Sequence, residues 1–256
     1  MVVQRNIYIK NAQEIAIMRQ AGRINALALA AVRELIRPGV TTADLDAAAA
    51  EVIRKHGAIP AFLGVPGAYP YPATTTVSVN DELVHGIPGK RRLQEGDIVS
   101  VDCGTIFEGF VGDSAFSIGV GETSAQAQRL IEVTEKSLYI GIDLLRAGNR
   151  VGDVGEAIQK YVEGQGFHLT REYTGHGVGR AMWEGPQVPN YGIAGRGTLL
   201  RTGMTIALEP MVLVGSPRTR VMPDRWTVAS ADGSLTAHFE HSVAITENGL
   251  LILTVP

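Results

Sequence analysis

A single cysteine, Cys103, stands in the 256 residues. It excludes an internal disulfide and a Cys-rich structural zinc site, and it suits a reducing compartment. Beside Asp102 on a strand it reads as a small core residue rather than a nucleophile. Basic runs are equally scarce. None exceeds Lys90-Arg91-Arg92, which reads as a solvated loop, and 23 Lys and Arg against 26 Asp and Glu leave a net charge of -3. That balance argues against a nucleic-acid-binding surface. The N-terminus carries no signal-peptide pattern, and no apolar run reaches the ~18–20 residues of a membrane span. No heptad or apolar stripe asks for a partner. The expectation is therefore a cytoplasmic monomer without membrane contact. What remains is 45% hydrophobic and 19% charged, ordinary for a globular enzyme and enough for one large core over 1–256.

Asn11-Ala12-Gln13-Glu14 is a capping-box signature that opens a helix reaching about Ile36, where Pro38-Gly39 ends it. Thr42 to Arg54 predicts a second helix, Ser124 to about Arg146 a third, and Val151 to Glu163 a fourth. Ala58 to Pro72, rich in Gly, Pro, Tyr and Ala, predicts a loop wall. Strands are expected over Thr74–Val79, Met204–Val214, Trp226–Ala229, Ala237–Thr246 and near Leu250–Thr254. An internal echo also appears. Arg37-Pro38-Gly39, Asp44-Leu45, Ala48 and Gly57 return 109 residues later as Arg146-Ala147-Gly148, Asp153-Val154, Ala157 and Gly166. The echo suggests two α-α-β-β halves, about 11–120 and 121–250, related by a pseudo-two-fold. Helices would lie outside one shared, curved antiparallel sheet, an α+β fold with a ligand in the concavity.

The central stretch is a β-hairpin. An alternating run from Ile98 meets a second from Phe110 to Val120 across a turn at Glu108-Gly109. With that register Asp113 lies across from Gly104, two residues along from Asp102 and on the same face; diagonal neighbours sit roughly 7–8 Å apart. Two inward carboxylates are unfavourable without a cation between them. Taken alone, the pair reads more readily as one Asp facing solvent or capping a turn. Further polar residues in apolar surroundings weigh against that. Tyr173-Thr174-Gly175-His176-Gly177-Val178-Gly179-Arg180 sets a histidine among glycines, and no Walker lysine accompanies them. Ile206-Ala207-Leu208-Glu209-Pro210-Met211 and Ala237-His238-Phe239-Glu240-His241-Ser242-Val243 each carry a glutamate in an apolar run. Asp102, Asp113, Glu209, Glu240 and His176 together form a set of hard and borderline donors with no internal lysine to pair them. Such a set suits two divalent ions, Mn, Fe(II), Co or Zn, and a dinuclear hydrolase.

With those motifs in order, the chain resembles the type I methionine aminopeptidases of the pita-bread metallopeptidase superfamily, from about Asn11 to the C-terminus. The acid and histidine spacings of 11, 63, 33 and 31 residues are in that family's register. Val79-Asn80-Asp81-Glu82-Leu83-Val84-His85-Gly86-Ile87-Pro88 resembles its segment bearing a substrate-facing histidine, and the short N-terminus resembles the bacterial form. The resemblance implies that Asp102 chelates one ion, that Asp113 and Glu240 bridge both, and that His176 and Glu209 bind the other. It implies that a metal-activated water attacks the carbonyl after an N-terminal methionine, with Glu209 as general base and His85 touching the scissile amide nitrogen. Phe62, Tyr71, Thr76, Met182 and Trp226 are the implied side-chain pocket; each reads equally well as plain core. N-terminal Met peptides and nascent proteins near the ribosome are the implied substrates.

One departure stands out. Arg180-Ala181-Met182-Trp183-Glu184-Gly185-Pro186 places Trp183 where the family carries a second histidine near the substrate carbonyl. An indole N–H donates one hydrogen bond but cannot become cationic. Two alternatives stand beside this reading: a proline-directed relative such as an Xaa-Pro peptidase, which would itself normally keep that histidine, and, kept open by Trp183, a metal-retaining binding protein of impaired chemistry.

Overall fold

The computed structural model describes residues 6–256. Residues 1–5, part of the single-domain expectation over 1–256, lie outside the described residues. Helix α1 (Ala12–Leu35) starts at the expected capping box: the Asn11 side chain accepts from the Glu14 N–H, and the Glu14 carboxylate accepts from the Asn11 N–H. Helix α2 (Thr42–Lys55) repeats the device with Thr41 and Asp44. Ser124 caps α3 (Ala125–Ile142), and the Asp153 carboxylate accepts from the Arg150 N–H at the start of α4 (Val151–Gly164). Helix α3 stops four residues short of the expected Arg146. The chain there tightens into i to i−3 bonds, Leu144 to Gly141 and Leu145 to Ile142, and Leu145 is fully buried.

Strands follow in chain order as β1 (Ile59–Pro60), β2 (Thr75–Val79), β3 (Glu82–Val84), β4 (Ile98–Phe107), β5 (Phe110–Gly119), β6 (His168–Leu169), β7 (Gly175–Gly177) and β8 (Glu184–Val188). Then come β9 (Thr205–Leu208), β10 (Met211–Leu213), β11 (Thr219–Val221), β12 (Val228–Ser230), β13 (Thr236–His238), β14 (Glu240–Thr246) and β15 (Gly249–Ile252). Among the described residues nine strands form one sheet in the order β1-β4-β5-β14-β9-β7-β8, with β2 on β4 and β15 on β14. Every pairing in it is antiparallel. Two three-stranded sheets, β13-β10-β6 and β11-β12-β3, flank it. At the 109-residue offset α2 falls on α4 residue for residue, and Ile59–Pro60 falls on His168–Leu169.

Alternation along β4 divides the layers. Val99, Val101 and Cys103 join the helix-side core with Val32, Leu45, Leu130 and Ile158, while Asp102 turns the other way. Among the described residues α1 is the helix whose length and mean hydropathy of 1.2 would let it cross a membrane, a segment the sequence reading did not anticipate. Met18, Ala21, Ala28 and Val32 are fully buried on it, so it is a core helix here. It crosses β5 at close range: a Cβ on Gly112 would lie 2.5 Å from the Gly22 backbone nitrogen.

Two expected strands are each broken. Met204–Val214 divides into β9 and β10 at Glu209-Pro210, and Ala237–Thr246 into β13 and β14 at Phe239. Pro210 has no N–H for a ladder, and each chain crosses into another sheet at its break. The breaks are neighbours, since the Phe239 N–H donates to the Pro210 carbonyl at 3.3 Å. The expected strand at Trp226 starts later, at Val228, because the Asp224 carboxylate accepts from the Trp226 and Thr227 N–H groups. Strand β3 was not anticipated. It follows a turn in which Asn80 takes a φ of 61°.

Candidate metal centre

The hairpin has the expected register. Glu108 and Gly109 take φ of 47° and 77° at its turn, and Gly104 pairs with Asp113. Registers across the sheet then place every predicted donor on one face. Asp102 pairs with Ala115, and Ala115 with Glu240, so these share a face, and Asp113 is two residues from Ala115. Ser242, two residues from Glu240, pairs with Ala207, and Ala207 with His176. Glu209 continues that parity just past the end of β9. Thr76 pairs with Asp102 and joins the same face.

Side-chain atoms of Asp113, His176 and Glu240 lie within 4.8 Å of one another. His176 Nε2 is 3.8 Å from Asp113 Oδ2 and 3.4 Å from Glu209 Oε1. Its Nδ1 is 2.9 Å from the Gly177 carbonyl; a proton on Nδ1 donated there leaves the Nε2 lone pair facing the acids. Asp113, His176 and Glu240 are buried, whereas Asp102 and Glu209 keep a partial opening to the cavity. Buried oxygens of three acids, Asp102 Oδ1, Asp113 Oδ1 and Glu240 Oε1, have no hydrogen-bond partner among the described residues.

Burial raises the Asp113 carboxyl to a pKa of about 7. Burial and then the Asp113 charge push Asp102 well above the ordinary carboxylate range. Glu209 and Glu240 are raised by burial, then Asp113 and Asp102. Such a cluster resists ionisation by itself, and orphaned carboxylate oxygens are strongly unfavourable. A divalent cation removes both difficulties, so oxygen-rich donors with one imidazole fit such an ion.

A pocket of about 540 Å³ opens over this face. Phe62, Tyr71, Thr76, His85, Trp183 and Trp226 line it with the five donors, as does Val65, which the sequence reading did not name. Tyr71 donates its hydroxyl to the Gly86 carbonyl at 2.9 Å, and Trp226 its indole N–H to the Tyr69 carbonyl at 3.2 Å. Both present rings, edge to face at 5.1 Å between centroids. Met182 does not line the pocket. It is buried with Phe62 and Tyr71, its Cε over Gly104. His85, at φ 61°, meets the Tyr173 ring at 6.0 Å, and burial lowers its pKa to about 4.

Sequence reasoning also passed over His238. It is fully buried on β13, its Nε2 3.7 Å from Glu209 Oε2, and burial followed by the His85 charge lowers its pKa to about 3. Its parity with Glu240, two residues on, was the available signal. Asn190 Nδ2 donates to the Glu209 backbone carbonyl at 2.9 Å and fixes the break in the strand.

The model of metallopeptidase family M24 matches residues 16–247. A methionine aminopeptidase of Clostridium perfringens is 48% identical over 249 residues, which cover 97% of this chain and 99% of that one. The crystal structure of a methionine aminopeptidase from Thermotoga maritima superposes with a TM-score of 0.95 at 47% identity, covering 98% of this chain and all of that one. A prolidase from Pyrococcus furiosus shares the fold at a TM-score of 0.78 and 23% identity, with 97% of this chain covering 65% of the prolidase.

Proposed function

This chain belongs to metallopeptidase family M24, and from that membership we propose its reaction: it is a methionine aminopeptidase, hydrolysing the bond after an N-terminal methionine. The observation that carries the reading is the face itself, five ligand-type side chains beneath an aromatic pocket with orphaned oxygens on three of them. In this reading Asp102, Asp113, His176, Glu209 and Glu240 hold two divalent ions. When bound, the ions supply Lewis acidity, lowering the pKa of a water and polarising a carbonyl oxygen.

The chain's own groups do the rest. Glu209 takes the proton of the attacking water on its carboxylate, steadied by Asn190 at its backbone. His85 is a neutral imidazole at pH 7, given its pKa of about 4, and it meets the scissile amide nitrogen as a hydrogen-bond partner rather than a cation. Phe62, Val65, Tyr71 and Trp226 receive the methionine side chain, with their polar atoms turned to the backbone behind where they have any. Trp183 offers an N–H in place of an imidazole. Nascent proteins at the ribosome are the substrates of this reading, and a cytoplasmic monomer is the working form. The full set of donors weighs against a binding protein without chemistry, and the prolidase likeness supports the fold alone.

Methionine release from Met-Ala-Ser by apo-protein reloaded with Mn(II) or Co(II) tests the reading. We expect metal-dependent release that falls by about 10²-fold or more in Glu209→Gln. No release by the parent protein with any metal would sink it.

A further inference from the structure

Away from the acid cluster, the described residues hold a second buried charge pair. Lys10 and Glu184 are 6% and 4% exposed, and Lys10 Nζ donates to Glu184 Oε2. Lysine and glutamate are almost never buried this far unless paired, and such a pair gains little over apolar residues of the same shape. Its surroundings supply a reason for it. Glu184 Oε1 accepts from the backbone N–H of Arg180 at 2.8 Å and of Ala181 at 3.3 Å. Lys10 Nζ also donates to the Tyr8 carbonyl at 3.2 Å, and the Gly185 N–H donates to the Asn6 carbonyl at 2.9 Å. A Cβ on Gly179 would lie 2.5 Å from both Glu184 Oε1 and Lys10 Cε. The C-terminal end of the loop between β7 and β8 is thus bound to residues 6–10 through Glu184 and Gly185, Glu184 ties Arg180 and Ala181 back to that anchor, and none of residues 6–10 lines the pocket. Trp183 is the last residue of that loop, directly before Glu184. It is 40% exposed, yet it lines the pocket beside the donors.

We propose that the Lys10–Glu184 pair positions Trp183, holding the indole at the pocket mouth and so setting how the mouth receives a peptide. Trp183 is then the specificity-determining side chain, and Lys10 and Glu184 are positioning residues acting through it. The kinetic half of the inference rests on the aminopeptidase reading; the conformational half stands on the geometry alone.

Trp183 and Trp226 are the chain's two tryptophans, so in Trp226→Phe protein the emission reports Trp183. In that background we expect Lys10→Met and Glu184→Gln to red-shift the emission and raise acrylamide quenching, with neither peptide nor metal added. In the enzyme with Trp226 intact, the same changes should raise KM for Met-Ala-Ser about threefold to tenfold and leave kcat within about twofold. Leu138→Ala, which empties core space under α3, is the control: it lowers Tm and moves neither readout. Where a single variant does not fold, Lys10→Met/Glu184→Gln leaves no buried charge unpaired and carries the same measurements. Unchanged Trp183 emission and quenching in folded variants would overturn the proposal. So would altered emission with KM unmoved, because the indole's position would then not matter to the peptide. If the parent protein releases no methionine with any metal, the aminopeptidase reading fails, and the emission still decides the positioning.

Discussion

Asp113 and the three acids around it hold protons more tightly folded than unfolded, and three histidines, His85, His238 and His241, do the reverse. Asp113 is raised from 3.8 to about 7, so its contribution to stability falls as pH rises from 4 through 7. His85, His238 and His241 are lowered by burial to about 4, 3 and 4. They destabilise the fold below the unfolded value of 6.5 and contribute nothing further above it. The opposing slopes offset each other between pH 4 and 6.5, and above 6.5 only the acids act. Chelator-treated protein is therefore expected to lose urea stability as pH rises from 6.5 to 8. Adding Mn(II) at a hundredfold its Kd should raise stability by about 2.7 kcal/mol and remove that slope. Urea titrations at several pH values, with and without metal, check this. A flat apo profile would mean that burial and mutual repulsion do not hold the four carboxyls protonated.

At the scale of elements, the seam between α1 and β5 limits what can change. Gly22 and Gly112 let the two backbones meet directly, and a methyl on Gly112 would press on backbone atoms rather than on a side chain that can turn away. We expect Gly112→Ala to lower unfolding free energy by about 3 kcal/mol, read from urea denaturation by circular dichroism. A loss below about 0.5 kcal/mol would show that the helix shifts without penalty. Elements with local signals were legible beforehand. Asn11, Thr41 and Ser124 mark their helices by capping, and the Glu108-Gly109 turn pins the hairpin register that puts Asp102 and Asp113 on one face. The broken strands were not legible, because Met204–Val214 and Ala237–Thr246 each have the composition of one continuous strand. Only the crossing into a second sheet divides them, and Glu209 and Glu240 stand at those breaks.

At the scale of the whole molecule, the two sequence halves share sheets, meeting where β5 pairs with β14 and where β3 pairs with β12. β14, from the second half, pairs with β5 of the first, and it carries Glu240 to the row of Asp102. We propose a single cooperative unit on that ground. Residues 11–120 and 121–250 expressed separately should each lack a cooperative thermal transition by circular dichroism. A cooperative transition in either fragment would make the halves independent domains.

The sequence by itself determined the helix starts, the hairpin register and the spacing of the five donors. These depend on interactions within a few residues, or on alternation that two paired strands preserve. Tertiary structure alone decided the place of Met182 behind the pocket and of Val65 on its wall. It also brought His238 beside Glu209 and joined Lys10 to Glu184 across 174 residues of chain. Burial and charge pairing between distant segments carry no local periodicity, so no pattern along the chain announces which buried group will meet which.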